Sequence, residues 1–373
     1  MIYSLVFALA AFNAPAAAEA VEPVDARIAE FDAFVRAFRQ AQRMPSLSVA
    51  VVEDGEVIFA EGYGFQDHDA EEPTTPDTTY LVASITKTFT GAALLGMAAD
   101  GLIDLDADFT GLSDWDRRCE WLGQSGIIFG GATLEDGTVI EPVNCDGPIS
   151  LRQVLTHRVN GEPGADFLYN PIVFGRLSNF VEEQTGRTFR EFVYKYVIEP
   201  GGLDDTAAGW RDEGKGHVLT HLAPPFRHKE DGGVEPSPLP NPELNASSGI
   251  ISSALDLAGY AIALQEGSIL GAALREAMWT PPQKPSGEAE PYAYGWYVQD
   301  WQGHRLVFHT GWWPDAYTGL LLIAPENGAA LVALGTTDGL HWDKPLDEAG
   351  VEGSPVAAKF LELFVEPDAL PGQ

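Results

Sequence analysis

The chain has 373 residues, a length that allows one large domain or two of ordinary size, and 45% of these residues are hydrophobic, enough for a substantial core. Its 55 acidic residues outnumber 22 basic ones and give a formal net charge of −33. A chain this acidic has no electrostatic attraction to nucleic acid or to an anionic membrane. The acidic residues are spread along the sequence, which indicates a solvated, repulsive surface rather than a binding tail.

The first 18 residues carry no charged side chain, and an apolar stretch at 2–12 is followed by small residues up to Ala18. This pattern is typical of a secretory signal peptide cleaved near Ala18 or Ala20, although the usual basic residue at its start is missing. A membrane anchor is the alternative, but the stretch is short and rich in alanine for a span. We therefore predict a signal peptide at 1–18 and an exported protein, periplasmic or secreted, without a membrane span after cleavage.

An amphipathic helix and a hairpin are the first regular elements after this segment. Ile28, Phe31, Val35 and Phe38 recur at helical spacing and form one apolar face. Two apolar runs flank Asp54-Gly55, a dipeptide that readily adopts the positive φ angles of a hairpin turn. The sequence therefore predicts two antiparallel strands here.

A candidate nucleophile lies where an apolar, small-residue helix begins, at Ser84-Ile85-Thr86-Lys87. Residues three apart on a helix share a face, so the Ser84 hydroxyl and the Lys87 amine can meet. A serine needs a base to take its proton, and a lysine is such a base only if burial or a nearby cation lowers its pKa. A backbone N–H at a helix start would also stabilise an oxyanion. The alternative is an ordinary helix with a serine cap and a solvated lysine.

Two cysteines, Cys119 and Cys145, flank a glycine-rich stretch at 123–137 that has little regular pattern. In an exported protein we expect such a pair to form a disulfide that holds a long surface loop. His217 and His221 have the spacing of metal ligands on a helix, but no glutamate follows the first histidine. We interpret them as surface histidines and predict neither a metal site nor a cofactor.

Two further segments carry candidate groups. Tyr169 precedes a predicted helix at 173–185, and a phenol beside Lys87 would have its pKa lowered by the cation and become a second base. His309-Thr310-Gly311 ends a predicted strand, where glycine lets a substrate backbone approach closely. Taken alone, a tyrosine such as Tyr169 is most often a core residue, and a histidine such as His309 most often simply ends a strand.

The order of the predicted elements indicates an α/β (α+β) fold. The middle of the chain is mostly helical, and its end is rich in strands, which we place at 294–298, 305–309, 317–324 and 329–335, before a last helix at 356–364. We predict an antiparallel sheet built from both chain ends and flanked by helices, with an inserted helical subdomain. Residues 19–373 would form a single domain, with sheet regions at about 24–83 and 255–373 and the helical subdomain at about 84–254.

In their order and approximate spacing, the segments at Ser84, Tyr169 and His309 resemble the motifs of the serine β-lactamase and penicillin-binding-protein superfamily. The resemblance is closest to its class C-like branch, which includes D-alanyl-D-alanine carboxypeptidases, D-aminopeptidases and esterases. It extends over about 45–364 and includes supporting stretches at 149–157, 199–206 and 248–258.

This resemblance implies acyl transfer without a cofactor. Ser84 would be the nucleophile, and Lys87 and Tyr169 would share the role of base, with Tyr169 as the proton donor to the leaving group. His309 takes the place of the lysine in the Lys-Thr-Gly motif. Water would then hydrolyse the acyl-enzyme.

The resemblance also implies a set of substrate-binding groups. The backbone N–H groups of Ser84 and Trp312 would form the oxyanion hole. Asn170, Thr310, Gly311 and Trp312 would contact a small-molecule or peptide substrate. The oligomeric state does not follow from these features.

Three departures from the family pattern bear on the substrate. Pro171 stands where the second motif usually has asparagine, and His309 is neutral much of the time near pH 7, which weakens a fixed site for a carboxylate. Trp312 and Trp313 add aromatic surface to the cleft. These features favour an esterase or D-amino-acid peptidase-like hydrolase. The alternatives are a β-lactamase or D-alanyl-D-alanine carboxypeptidase and, in another class, a non-catalytic penicillin-binding or sensor domain.

Overall fold

The computed structural model describes residues 25–67, 69, 71–134, 137–240, 243–284, 286–343 and 348–365. The signal peptide predicted at 1–18 lies outside these residues. No helix within the described part of the chain combines the length and the apolar character that a bilayer span requires.

The helices begin with an N-terminal helix, and most of the others belong to the middle of the chain. They are α1 (Ala26–Ala41), α2 (Thr86–Ala99), α3 (Trp115–Gln124), α4 (Leu151–Leu155), α5 (Pro171–Gly175), α6 (Leu177–Thr185), α7 (Phe189–Val193), α8 (Glu199–Gly201), α9 (Gly216–Thr220), α10 (Ala254–Glu266), α11 (Ala272–Met278) and α12 (Pro355–Phe360).

The strands form one large sheet and three small ones. In chain order they are β1 (Ser46–Glu53), β2 (Glu56–Gly64), β3 (Thr79–Leu81), β4 (Ala132–Thr133), β5 (Val139–Ile140), β6 (Ala207–Ala208), β7 (Phe226–His228), β8 (Val234–Pro236), β9 (Ile250–Ser253), β10 (Tyr292–Ala293), β11 (Trp296–Trp301), β12 (His304–Trp313), β13 (Tyr317–Ala324) and β14 (Ala329–Gly335).

The large sheet has the strand order β10-β11-β12-β13-β14-β1-β2, and all its pairs are antiparallel. Its strands come from 46–64 and 292–335, so the first and last parts of the chain meet where β1 pairs with β14. The predicted fold class, an antiparallel sheet built from both chain ends and flanked by helices, is confirmed.

Both faces of the large sheet are covered, because every residue of β13 and β14 is buried. On one face, α1 and α12 contribute Phe31 and Phe360 to a core with the side chains of alternate strand residues. On the other face, α2 and α10 contribute Phe89 and Tyr260, whose rings stack 4.3 Å apart. Burial on both sides explains why these strands are continuous apolar runs rather than alternating ones.

The helix predicted at 173–185 differs from the observed structure. It begins earlier, at Pro171, and is interrupted at Arg176, which separates α5 from α6. Pro171 suits the first helical position because its missing N–H has no partner there, and the Asn170 side chain caps this end by accepting from Val173 N. The residues after Tyr169 therefore serve to start a helix.

A partly buried carboxyl group lies at the start of α10. Asp256 accepts a hydrogen bond from Thr206 Oγ1 at 2.7 Å, and its backbone N–H donates to Ser253 Oγ at 3.1 Å. Burial raises the pKa of Asp256 from 3.8 to about 6, and the hydrogen bond from Thr206 offsets only part of this effect. The folded chain therefore binds a proton at Asp256 more tightly than the unfolded chain does.

Asp256→Asn should raise the free energy of unfolding at pH 8 and change it little at pH 4. Above pH 6 the native carboxyl is a buried charge that asparagine lacks, and protonation removes this penalty as the pH falls toward 3.8. The gain at pH 8 should be at most about 3 kcal/mol. Urea titrations at both pH values measure it, with Asp116→Asn, at an exposed position, as the control for the lost charge. Equal gains at pH 4 and pH 8 would contradict the assignment.

Candidate active site

Ser84 lies in a tight helical turn, Ala83–Ile85, directly before α2. The preceding residue, Ala83, has a φ of +45°, a left-handed conformation that an alanine adopts only at an energetic cost. This backbone places Ser84, half-buried, in a cleft of about 410 Å³, here called the Ser84 cleft. Residues lining it include Ser84, Tyr169, Thr310, Gly311, Trp312 and Trp342.

Lys87 is the second residue of α2, and its side chain is completely buried. Its Nζ donates to Ser84 Oγ at 3.0 Å and to the backbone oxygen of Ser247 at 3.1 Å. The amine also lies over the rings of Tyr169 and Phe174, 4.9 and 5.6 Å from their centres. Burial lowers the pKa of Lys87 well below its ordinary value, so the amine is available in its neutral form to take a proton from Ser84.

Tyr169 lies beside both groups, and its hydroxyl interacts with Ser84. Burial raises the pKa of Tyr169 above its ordinary value of 10, and the hydrogen bond with Ser84 offsets this only in part. The expectation that a cationic Lys87 would lower this pKa is wrong, because burial disfavours the charged forms of both side chains. Tyr169 keeps its proton near neutral pH, which suits a proton donor rather than a second base.

His309 is in β12, is only 1% exposed and does not belong to the described lining of the Ser84 cleft. Its Nδ1 lies 2.7 Å from the backbone oxygen of Thr310, and its Nε2 lies 3.1 Å from the Tyr292 hydroxyl. Its ring centre is 5.9 Å from that of Tyr169. The residue therefore supports the buried aromatic layer around Tyr169, and we assign it no contact with a substrate carboxylate.

The Asn170 side chain is 0% exposed and does not belong to the described lining of the Ser84 cleft. Its Oδ1 accepts from Val173 N as the cap of α5, and its Nδ2 donates to Asn160 Oδ1 at 2.9 Å. Both ends of the amide are therefore used within the protein. Pro171, the next residue, lines the cleft instead.

Gly311 and its neighbours Thr310 and Trp312 line the Ser84 cleft. Gly311 has a structural reason to be glycine, because a Cβ there would lie 2.1 Å from the backbone oxygen of Val82. This contact brings β12 against the turn that carries Ser84. The backbone that approaches Gly311 is thus the protein's own, rather than that of a substrate.

The far wall of the cleft comes from the segment after β14. The indole of Trp312 stacks on the His341 ring at 3.9 Å, and its Nε1 donates to Asp338 Oδ1 at 2.7 Å. Trp342 and Asp343 continue this wall. Sequence reasoning missed these residues, because no local pattern connects 338–343 to the motifs.

His157 and Ser247 were also not singled out as site residues. The His157 ring lies 4.7 Å from that of Tyr169, and its Nδ1 accepts from Asn170 N at 3.0 Å. Burial, together with Lys87 and His309, lowers the pKa of His157 well below its ordinary value and keeps it neutral. Ser247 contributes only a backbone oxygen, a role that leaves no signal in the sequence.

Among the described residues, no group of three or more histidine, cysteine, aspartate or glutamate side chains is arranged to hold a metal ion. The cleft combines a serine hydroxyl, a buried amine and a protonated phenol. This arrangement is chemically suited to acyl transfer.

Comparisons with known proteins agree with this geometry. A family model described as Beta-lactamase matches residues 31–352. An unguisins hydrolase from Aspergillus campestris (strain IBT 28561) is 27% identical over 355 residues, which cover 85% of this chain and 62% of that protein. The chain spans 62% of the length of the curated relatives that it matches first.

Two solved structures share the fold. An octameric penicillin-binding protein homologue from Pyrococcus abyssi has a TM-score of 0.69 at 22% identity and covers 90% of this chain and 77% of its own. The D-amino acid amidase from Ochrobactrum anthropi SV3, complexed with L-phenylalanine amide, has a TM-score of 0.65 at 19% identity. The match covers 90% of this chain and 99% of the amidase chain. The family model matches most of the length of the present chain, and this chain therefore belongs to the Beta-lactamase family.

Proposed function

We propose that this chain is a serine hydrolase that forms an acyl-enzyme on Ser84 and releases it with water. The observation that carries the proposal is a fully buried Lys87 amine, 3.0 Å from the Ser84 hydroxyl at the start of a helix. Membership of the Beta-lactamase family supports the expectation that the chain is an enzyme. A pure binding or sensor domain has no need for a neutral lysine beside a serine.

In the proposed mechanism, Lys87 takes the proton of Ser84 as Oγ attacks the carbonyl carbon of the substrate. The backbone N–H groups of Ser84 and Trp312 stabilise the oxyanion that forms. Tyr169, which is protonated near neutral pH, donates its proton to the leaving group, and the proton held by Lys87 restores the phenol. Water then attacks the acyl-enzyme with Lys87 again as the base.

The substrate we propose is an ester or uncharged amide with an apolar or aromatic group. Among the described residues that line the Ser84 cleft, none is lysine or arginine, and several are aromatic. His309, which takes the place of the family's lysine, is buried behind Tyr169. Among the similar proteins, the name of an unguisins hydrolase supports hydrolysis, and the name of a D-amino acid amidase supports an amide substrate. The aromatic lining and a histidine in place of the lysine support an esterase or D-peptidase-like hydrolase of the class C-like branch.

A hydrolysis screen tests this proposal. Short p-nitrophenyl esters and D-phenylalanine amide should be hydrolysed with higher kcat/KM than nitrocefin or benzylpenicillin, since the described lining of the cleft offers aromatic contacts but neither lysine nor arginine for a carboxylate. The Ser84→Ala variant is the control for background reaction. Efficient nitrocefin hydrolysis with esters as the poorer substrates would instead favour the β-lactamase alternative.

We also propose that the chain is exported, with cleavage of the signal peptide near Ala18 or Ala20. The support is the uncharged, apolar pattern of residues 1–18 and the Cys119–Cys145 disulfide, since such bonds persist in oxidising compartments. Mass spectrometry of the protein from the periplasm and the medium should show a new N-terminus near residue 19 or 21. A chain that retains residues 1–18 in the cytoplasm would contradict export.

A further inference from the structure

An insertion that follows the nucleophile helix reaches the Ser84 cleft from the side. It runs from Cys119 to Cys145, which a disulfide joins, and its described residues, 119–134 and 137–145, include a helical turn at Ile128–Gly130. Phe129, in the middle of this turn, is half-buried and is one of the residues that line the cleft. The proposed mechanism assigns no role to this insertion.

The turn that carries Phe129 is held against α3 by close backbone packing. A Cβ on Gly130 would lie 2.2 Å from the backbone oxygen of Leu122, so only glycine allows this approach. Cys119, also in α3, is bonded to Cys145 with their Cα atoms 6.0 Å apart. The insertion begins in α3 and is therefore attached to that helix at two further points, at its other end through Cys145 and in its middle through Gly130.

A second set of contacts ties the insertion to the catalytic segment. Asn160, which is 8% exposed, donates from Nδ2 to the backbone oxygens of Phe129 at 3.0 Å and Glu141 at 2.8 Å. Its Oδ1 accepts from Asn170 Nδ2 at 2.9 Å, and Asn170 directly follows Tyr169. The buried side-chain amide of Asn160 thus connects the Phe129 turn to the segment that carries Tyr169, the proposed proton donor.

We propose that the disulfide-bridged insertion at 119–145 is the wall of the Ser84 cleft that selects the substrate's acyl group, with Phe129 as its contact residue. The inference rests on the proposed hydrolase function and specifies its substrate class. Phe129 faces a cleft that also presents the indoles of Trp312 and Trp342, so an acyl group that ends in an aromatic ring gains contacts that a small acyl group lacks.

Two esters with the same leaving group and different acyl groups test the proposed contact between Phe129 and the acyl group. Phe129→Ala should lower kcat/KM for p-nitrophenyl 3-phenylpropionate about 5- to 10-fold, mainly through a higher KM, and change kcat/KM for p-nitrophenyl acetate by less than about twofold. Phe65→Ala is the matched control, because Phe65 is 40% exposed and lies outside the cleft lining. An unchanged ratio of the two substrates in Phe129→Ala would overturn the inference.

The role of the bridge is tested by Cys119→Ser combined with Cys145→Ser, which removes both cysteines of the chain. This variant should lose selectivity for the phenylpropionyl ester as Phe129→Ala does, and adding Phe129→Ala should cause little further loss, because the changes act through one element. Circular dichroism and the activity on p-nitrophenyl acetate verify that the variant is folded. A folded variant with native selectivity would show that the bridge does not set the wall.

Labelling with fluorescent phosphonates separates failure of this inference from failure of the proposed function. The unmodified protein should react faster with an arylalkyl phosphonate than with a methyl phosphonate, and Phe129→Ala should remove the difference. If the unmodified protein neither reacts with a phosphonate nor hydrolyses any ester, both the proposed hydrolase function and the inference about the wall are wrong. If it does both, but its preference for the aryl group survives in Phe129→Ala, only the inference about the wall is wrong.

Discussion

Ser84→Ala should reduce kcat/KM by about 10⁵-fold while the melting temperature stays nearly unchanged, and Lys87→Met should be almost as inactive. The reason is that the two side chains act as one unit, with Nζ 3.0 Å from Oγ. Methionine matches the volume of lysine and removes an amine whose burial is costly, so the fold should tolerate it. Initial rates on p-nitrophenyl acetate and thermal melts measure both effects.

The control for the lysine change is Lys195→Met, because Lys195 is an exposed residue in an ion pair with Asp100. This variant should keep native kcat/KM. The double variant of Ser84→Ala and Lys87→Met should be no less active than Ser84→Ala alone, since a base has no function without its nucleophile. Native turnover in Ser84→Ala, or an acyl-enzyme detected on it by mass spectrometry, would refute the assignment of the nucleophile.

Gly311→Ala should be the most disruptive small substitution in the site. A Cβ at this position would lie 2.1 Å from the backbone oxygen of Val82, so β12 and the Ser84 turn must move apart. We expect a loss of roughly 3 kcal/mol in the free energy of unfolding, and a large fall in kcat/KM because the N–H of Trp312 moves with the strand. Urea unfolding and ester hydrolysis measure the two effects.

Gly123→Ala is the matched control, because Gly123 lies in α3 and a Cβ there would have no neighbour within 4 Å. Alanine is a better helix former, so this variant should gain up to about 1 kcal/mol and keep its activity. If Gly311→Ala were as stable and active as Gly123→Ala, the close contact between β12 and the nucleophile turn would be unimportant.

The local patterns of the sequence predicted the parts of the molecule that depend on neighbouring residues. Asp54-Gly55 indicated the turn that the structure has between β1 and β2, and the continuous apolar runs near the end of the chain indicated β13 and β14. Ser84 and Lys87 were paired because three residues along a helix bring two side chains to one face, a relation that requires no knowledge of the rest of the fold.

Predictions that depended on distant residues were less successful. A pairwise argument between Lys87 and Tyr169 gave the wrong direction for the phenol's pKa, because burial acts on both groups and outweighs their mutual interaction. Asn170 was expected to contact substrate, but Val173 and Asn160 occupy its amide. Val173 lies at the ordinary spacing from a helix cap, but Asn160 is a partner that no spacing rule identifies.

By itself, the sequence determined the fold class, the pairing of Ser84 with Lys87 and the family to which the chain belongs, because apolar periodicity and short motifs are local properties. Only the tertiary structure decided the electrostatic state of the site and the shape of its cleft. Desolvation of Lys87 requires Tyr169, Phe174 and Ser247, which lie 82 to 160 positions further along the chain, to close around one amine. Burial is a property of the assembled chain, and it is burial that makes a lysine a base.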